Sequence, residues 1–378
     1  MIYLDHNATT PVLPEVREAM LPLLTDDWGN PSSSYRFGSK LKSKIESARE
    51  QVADLIGAKS PRELIFTSGG TESNNTAIHA ALHGTTKKHI ITSQVEHSSV
   101  LSYCRFLEEY RGYRVTYLPV DRDGLLALSD LEQAIDDDTA LVSLMWANNE
   151  TGVLFPVEEI GTLCRSKGVL YHCDAVQAVG KLPIVLQRLP IDYLALTGHK
   201  LGAPKGIGAL YVNKKAPFVP FMHGGHQERS RRGGTENVAS LVGLGTAAAH
   251  AAKKLPKYES TVRPLRDALE KGILSAVPNT ELNGHPTERL ANTCNITFHG
   301  IESEALLLLL DQASICASSG SACLADSPDP SHVIAAMKPG KAARQCVRFS
   351  LGLTNKENDV SETLAALQRC VTSLSGQR

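Results

Sequence analysis

Between about residues 62 and 212, short apolar runs alternate with helical patterns. The runs lie at 63–66, 89–92, 115–118, 140–144, 168–171, 193–196 and 207–212. Near-continuous apolar strands separated by helix-length segments predict a seven-stranded, mainly parallel sheet covered on both faces, an α/β arrangement. On such a sheet a ligand sits beyond the carboxyl ends of the strands. Ahead of it, segment 34–56 sets Leu41, Ile45, Ala48, Val52 and Leu55 at helical spacing, which predicts an amphipathic helix. An Ala-rich helix follows from about Asn237. After roughly residue 255 the pattern changes to two or three short strands, a Leu-rich helix from Glu302 that reads as buried, a polar loop, a strand at 346–351 and a last helix from about Asn355. That succession predicts a smaller α+β unit.

A chain of 378 residues that is 42% hydrophobic can bury a full core and predicts two domains, or one large and one small. Its 39 basic and 40 acidic residues nearly cancel, so no general attraction to nucleic acid or an anionic membrane follows. Arg229, Arg231 and Arg232 form a basic cluster that reads as a loop feature. The eight cysteines show neither a disulfide framework nor a CxxC pair, which points to a reducing, cytoplasmic setting. Asp5 leaves no room for the apolar part of a leader, and the longest apolar run, 305–310, is far too short to span a bilayer.

Two groups carry the chemistry. Asp174-Ala175-Val176-Gln177 and Thr197-Gly198-His199-Lys200 each close a strand-like run. A lysine that forms a Schiff base must be held at fixed depth, and a carboxylate that keeps a pyridine nitrogen protonated must stand about one ring away. Ends of neighbouring strands supply that spacing, as for pyridoxal phosphate. The second group is Ser318-Ser319-Gly320-Ser321-Ala322-Cys323, followed by Leu324-Ala325-Asp326-Ser327-Pro328-Asp329-Pro330. Small neighbours leave Cys323 uncrowded, and the Pro, Asp and Ser that follow predict a polar loop able to carry a thiol to a substrate. Ser68-Gly69-Gly70-Thr71 lies between a strand and a helix, where backbone amides and the helix dipole could hold a phosphate. His223 and His226 have HxxH spacing, but no third ligand is apparent, so no metal site of the chain's own is expected. Cys316 reads as a buried strand residue.

At these residues the chain resembles the NifS/IscS-type cysteine desulfurases of the class V aminotransferase-like pyridoxal phosphate enzymes, group I. The resemblance runs from Tyr3-Leu4-Asp5-His6-Asn7-Ala8-Thr9-Thr10-Pro11 through Trp28-Gly29-Asn30-Pro31, Glu96-His97, Trp146-Ala147-Asn148-Asn149-Glu150-Thr151-Gly152 and Gly224-Gly225-His226-Gln227-Glu228-Arg229 to Val347-Arg348-Phe349-Ser350-Leu351. It implies fold type I, with a large cofactor-binding domain at 15–254 and a small domain built from 1–14 and 255–378. It implies a desulfurase that takes sulfur from L-cysteine, releases alanine and leaves a persulfide on Cys323. A selenocysteine lyase or a fold type I aminotransferase is the alternative.

By the same resemblance, Lys200, Asp174 and Gln177 hold pyridoxal 5'-phosphate at its aldehyde, ring nitrogen and phenolic oxygen, with His97 stacked on the ring. Gly70, Thr71, Thr197 and His199 hold its phosphate, while Thr235 reaches the phosphate of a second subunit, giving a homodimer. Asn149 adds a contact on the cofactor's phenolic edge and, with Arg348, meets the substrate carboxylate. The sulfur would pass to an iron–sulfur scaffold or another acceptor protein, and Cys323 would ligate a cluster transiently during that transfer.

Overall fold

The computed structural model describes residues 1–320 and 330–375. After a short strand β1 (Ile2–Tyr3), the seven apolar runs become β2 (Leu64–Thr67), β3 (His89–Ser93), β4 (Arg114–Leu118), β5 (Thr139–Ser143), β6 (Leu170–Asp174), β7 (Tyr193–Thr197) and β8 (Gly208–Val212). They form one sheet in the order β2-β8-β7-β6-β5-β3-β4. Five adjacent strands pair in parallel; β8 is antiparallel to both β7 and β2, so β2 runs in the same direction as those five. Helices cover both faces, and the sheet residues divide between two buried clusters accordingly. Val142, Leu194 and Ala209 belong to one, Leu141, Tyr193 and Leu210 to the other. The period of two along each strand sends neighbours to opposite faces, which is why these runs lack a polar side.

A second sheet holds β9 (Thr280–Asn283), β10 (Thr293–Phe298) and β12 (Cys346–Ser350), all antiparallel. β1 pairs in parallel with β11 (Ile315–Cys316). Ile2 and Leu4 are buried with Ile296, Phe349 and Leu367 in a core separate from that of the large sheet. The helix Val238–Ala276 joins the two cores, giving Leu241 and Leu244 to one and Val262 and Leu269 to the other. It runs without interruption past 254/255, where the sequence suggests a boundary, and takes Pro256 and Pro264 within its length.

Three local readings change. The helix expected over 34–56 is split into Arg36–Ser39 and Leu41–Leu55. The Leu-rich helix Ser303–Gln312 buries Leu306 and Leu310 but leaves Leu308 exposed, so it is amphipathic rather than buried. Cys316 is half-buried in a strand of only two residues. Among the described residues no helix is long and apolar enough to cross a membrane.

Candidate active site

A cavity of about 160 Å³ opens at the carboxyl ends of the central strands. Asp174 is the last residue of β6, and its neighbour β7 leads through Thr197 into a tight 3₁₀ turn that ends on Lys200. Parallel pairing of Asp174 with Ala195 puts the acid and the lysine on adjacent strand ends, and both line the cavity. The Asp174 carboxylate accepts from Asn74 Nδ2 at 2.7 Å and from the Val176 backbone N–H at 3.0 Å. The Lys200 amine donates to the carbonyls of Asn7 and Ala8.

The helix Gly70–His83 begins at the cavity wall and has no side-chain cap. A Cβ on Gly70 would stand 2.9 Å from Val176 Cγ2, and one on Gly208 would stand 2.8 Å from Gly69 Cα. Glycine at both places lets the loop lie close against the strands and turns the helix N-terminus, with its partial positive charge, onto the cavity. Thr71, Thr197 and His199 line the same cavity. Burial, then the Lys200 and Lys205 charges, lowers the His199 imidazole to about 4.

His97 caps the helix Ser98–Arg111, its Nδ1 accepting from the Ser99 backbone N–H at 3.1 Å and lying 2.8 Å from Ser99 Oγ. Burial, opposed by Asp174 and aided by Lys200 and His332, holds this imidazole below its ordinary range. With Nδ1 accepting, the ring proton of the neutral form sits on Nε2. Asn74 Nδ2 also donates to Ser99 Oγ at 2.8 Å, so a single amide ties Asp174 to the His97 support. On the far wall, Arg348 from β12 donates to the Asn149 carbonyl at 3.0 Å and to Asp5 Oδ1 at 2.7 Å. Its Nε is buried and meets no partner among the described residues.

The donor set therefore fits pyridoxal phosphate. An amine, a carboxylate, the start of a helix with no side-chain cap among the described residues and a guanidinium all line one cavity.

Residues 2–363 match the family Aminotransferase class-V. The chain is 53% identical to cysteine desulfurase 2 of Trichormus variabilis, covering 99% of this chain and 94% of that protein. It is 49% identical to the cysteine desulfurase NifS of Azotobacter vinelandii, covering 99% and 93%. The chain belongs to the class V aminotransferases, among the cysteine desulfurases. Among solved structures, a NifS-like protein superposes with a TM-score of 0.91 at 35% identity, covering 99% of each chain. SspA in complex with cysteine gives 0.83 at 37%, covering 94% of this chain and 100% of that one. The enzyme is accordingly of fold type I and uses pyridoxal 5'-phosphate.

The structure brings Gly70, Thr71, His97, Asn149, Asp174, Gln177, Thr197, His199, Lys200 and Arg348 to one cavity. Thr235 is not among them; it is exposed and lines a separate hollow with Ser68 and Arg232. Cys323 lies outside the described residues. Sequence reasoning passes over Asn7, Asn74 and Lys181 as individual functional residues. Asn7 and Asn74 line the cavity, and Lys181 hydrogen-bonds to Gln177 at 2.7 Å. Asn74 could have been suspected from its place one turn into the helix that opens with Gly70-Thr71.

Proposed function

We propose that the Lys200 cavity is where the enzyme removes sulfur from L-cysteine, and that Cys323 receives it as a persulfide. The observation that carries this reading is the convergence of Lys200 and Asp174 from adjacent strand ends on a cavity that also meets the Gly70 helix N-terminus. When bound, pyridoxal phosphate supplies an electron sink for negative charge at the amino acid's α-carbon. Lys200 holds the cofactor and moves the α-proton. Asp174 keeps a proton on the ring nitrogen, since an opposite charge nearby favours the charged form. Gly70, Thr71, Thr197 and His199 hold the phosphate, and Gln177 donates to the phenolic oxygen. His97, planar and carrying its proton on Nε2, covers the ring.

Arg348 and Asn149 bind the substrate carboxylate. Guanidinium geometry suits that group, and the buried Nε of Arg348, which meets no partner among the described residues, offers a donor to it. The Cys323 thiolate attacks the substrate sulfur. An S–S bond forms as the Cβ–S bond breaks, the electron pair stays with Cβ, and protonation of Cβ together with return of a proton to the α-carbon by Lys200 gives L-alanine. Thr235, exposed and outside its own chain's cavity, reaches the phosphate of a second copy, making a homodimer. A reducing cytoplasm keeps the thiol available, and the persulfide passes to an iron–sulfur scaffold or another acceptor.

The test is to incubate wild type and Cys323→Ala with cysteine, alkylate, and locate added sulfur by peptide mass. Added sulfur on Cys323 with alanine released, and neither in the variant, is the expected result. Alanine formed at the wild-type rate by Cys323→Ala would overturn the reading.

A further inference from the structure

Lys181 stands beside the site with its amine turned toward it. Its Nζ donates to Gln177 Oε1 at 2.7 Å and to Asn7 Oδ1 at 2.9 Å. Gln177 Nε2 donates in turn to the Asn7 carbonyl at 3.0 Å, the same carbonyl that receives the Lys200 amine. Asn7 is buried and held further by Asn292 Nδ2 on Oδ1 at 3.0 Å and by its own Nδ2 on Thr293 Oγ1 at 2.9 Å.

The two ends of a glutamine amide have nearly the same shape, so only partners decide which way it faces. The Lys181 amine faces two acceptor oxygens, Gln177 Oε1 and Asn7 Oδ1, and so donates to both, while a carbonyl only accepts. Lys181 therefore fixes Gln177 Oε1 on one side, and the Asn7 carbonyl fixes Nε2 on the other. An Nε2 carries two hydrogens; among the described residues the second meets no acceptor, and Gln177 lines the cavity.

Lys181 pairs with no carboxylate among the described residues within 4.0 Å, and its neighbours Lys200 and Arg348 are cations. Burial, then those charges, pushes the amine well below 10.5. A lysine held among like charges without a counter-ion is costly for packing alone and is a mark of functional sites.

We propose that Lys181 is a positioning residue: it holds the Gln177 amide with its spare N–H toward the cavity, and it holds Asn7, whose carbonyl seats the Lys200 amine. This rests on the Lys200 cavity being the reaction site, with Gln177 as donor to the cofactor's phenolic oxygen.

A double-mutant cycle on the cofactor-loaded enzyme tests it, using Lys181→Met, Gln177→Ala and the double variant. The readouts are kcat and KM for cysteine and the visible absorption band of the bound cofactor. Lys181→Met is expected to lower kcat about tenfold, the scale of one hydrogen bond withdrawn from a buried acceptor, with KM within about threefold and the band shifted. In the Gln177→Ala background the same substitution is expected to change kcat by less than about twofold and to leave the band in place. Lys181→Gln, which keeps an N–H donor, is expected to recover part of the band shift, and it carries the cycle if the methionine variant fails to fold. Additive effects of the two substitutions, or a Lys181→Met variant altered only in thermal midpoint, would overturn the proposal. Spectral coupling in an enzyme that forms no alanine would support Lys181 and count against the reading of the reaction. Alanine formation without coupling would count against Lys181 alone.

Discussion

Asp174 accepts two hydrogen bonds, from Asn74 Nδ2 and the Val176 N–H, and that pair aims its carboxylate. Asp174→Asn keeps the shape and loses the charge. We expect it to fold, to bind cofactor and to turn over roughly a hundredfold more slowly for every two pKa units lost at the ring nitrogen. Stopped-flow spectra with cysteine would check this, and near wild-type rates would rule out the role. Lys200→Ala is expected to abolish turnover, because one amine serves both attachment and proton transfer, a step that alone contributes roughly 10²–10⁴-fold. Borohydride reduction followed by peptide mass should find no link between cofactor and protein. Lys200, Asp174, His97 and Arg348, which line one cavity, could be singled out in the sequence because they sit in short recognisable strings. Asn7 and Asn74 were not. Their meaning lies in partners such as Thr293 and Asp174, 286 and 100 residues away.

The Arg-rich loop read from sequence proves to be the guard of a sheet edge. β2 is an edge strand, and its free groups are met by side chains. Leu64 O accepts from Arg229 and Arg231 at 3.0 and 2.9 Å, and the Phe66 N–H donates to Glu228 Oε2 at 3.0 Å. Unpaired edge groups invite association with another chain. Glu228, Arg229 and Ser230 all have positive φ, at 48, 60 and 61°, a conformation costly for residues with a Cβ. The bidentate Arg49–Glu228 pair, at 2.7 and 2.8 Å with both side chains buried, holds them there. Glu228→Ala is expected to destabilise by about 3–5 kcal/mol, since it strands a buried guanidinium. Arg49→Met with Glu228→Met should recover most of that in urea unfolding. A Glu228→Ala midpoint equal to wild type would show that the pair is not what holds the loop.

For the whole molecule, buried titratable groups set the pH range of stability. His6, His172 and His199 are each lowered to about 4, chiefly by burial. From pH 6.5 down to 4 the unfolded chain takes up protons that the native state refuses, so stability falls on acidification. Glu96, fully buried, is raised to about 8 from 4.5. Between those values the native state keeps a proton that the unfolded chain has released, so its contribution falls as pH rises. The three histidines predict a net loss below about pH 6.5, and Glu96 a shallower loss toward 8 that Lys181, with its amine pushed well below 10.5, opposes as pH rises in the cofactor-free protein. Thermal midpoints at about pH 5, 6.5 and 8 would check this, with Glu96→Gln flattening the alkaline side. An unchanged alkaline slope in that variant would rule out Glu96 as its source.

Apolar period and run length by themselves determined the seven strands and the change of pattern after residue 255, because burial on both faces leaves a local mark in the chain. The short strings around Lys200, Asp174 and Gly70 likewise marked them as candidates, since each strand end and helix start is local. Only the tertiary structure decided that β8 lies antiparallel between β2 and β7, and that one helix from Val238 to Ala276 feeds both cores. The same holds for the meeting of Asn7, Gln177, Lys181 and Lys200. Those are relations between segments far apart in sequence, and hydrogen bonds and buried contacts between such segments exist only once the chain has closed on itself.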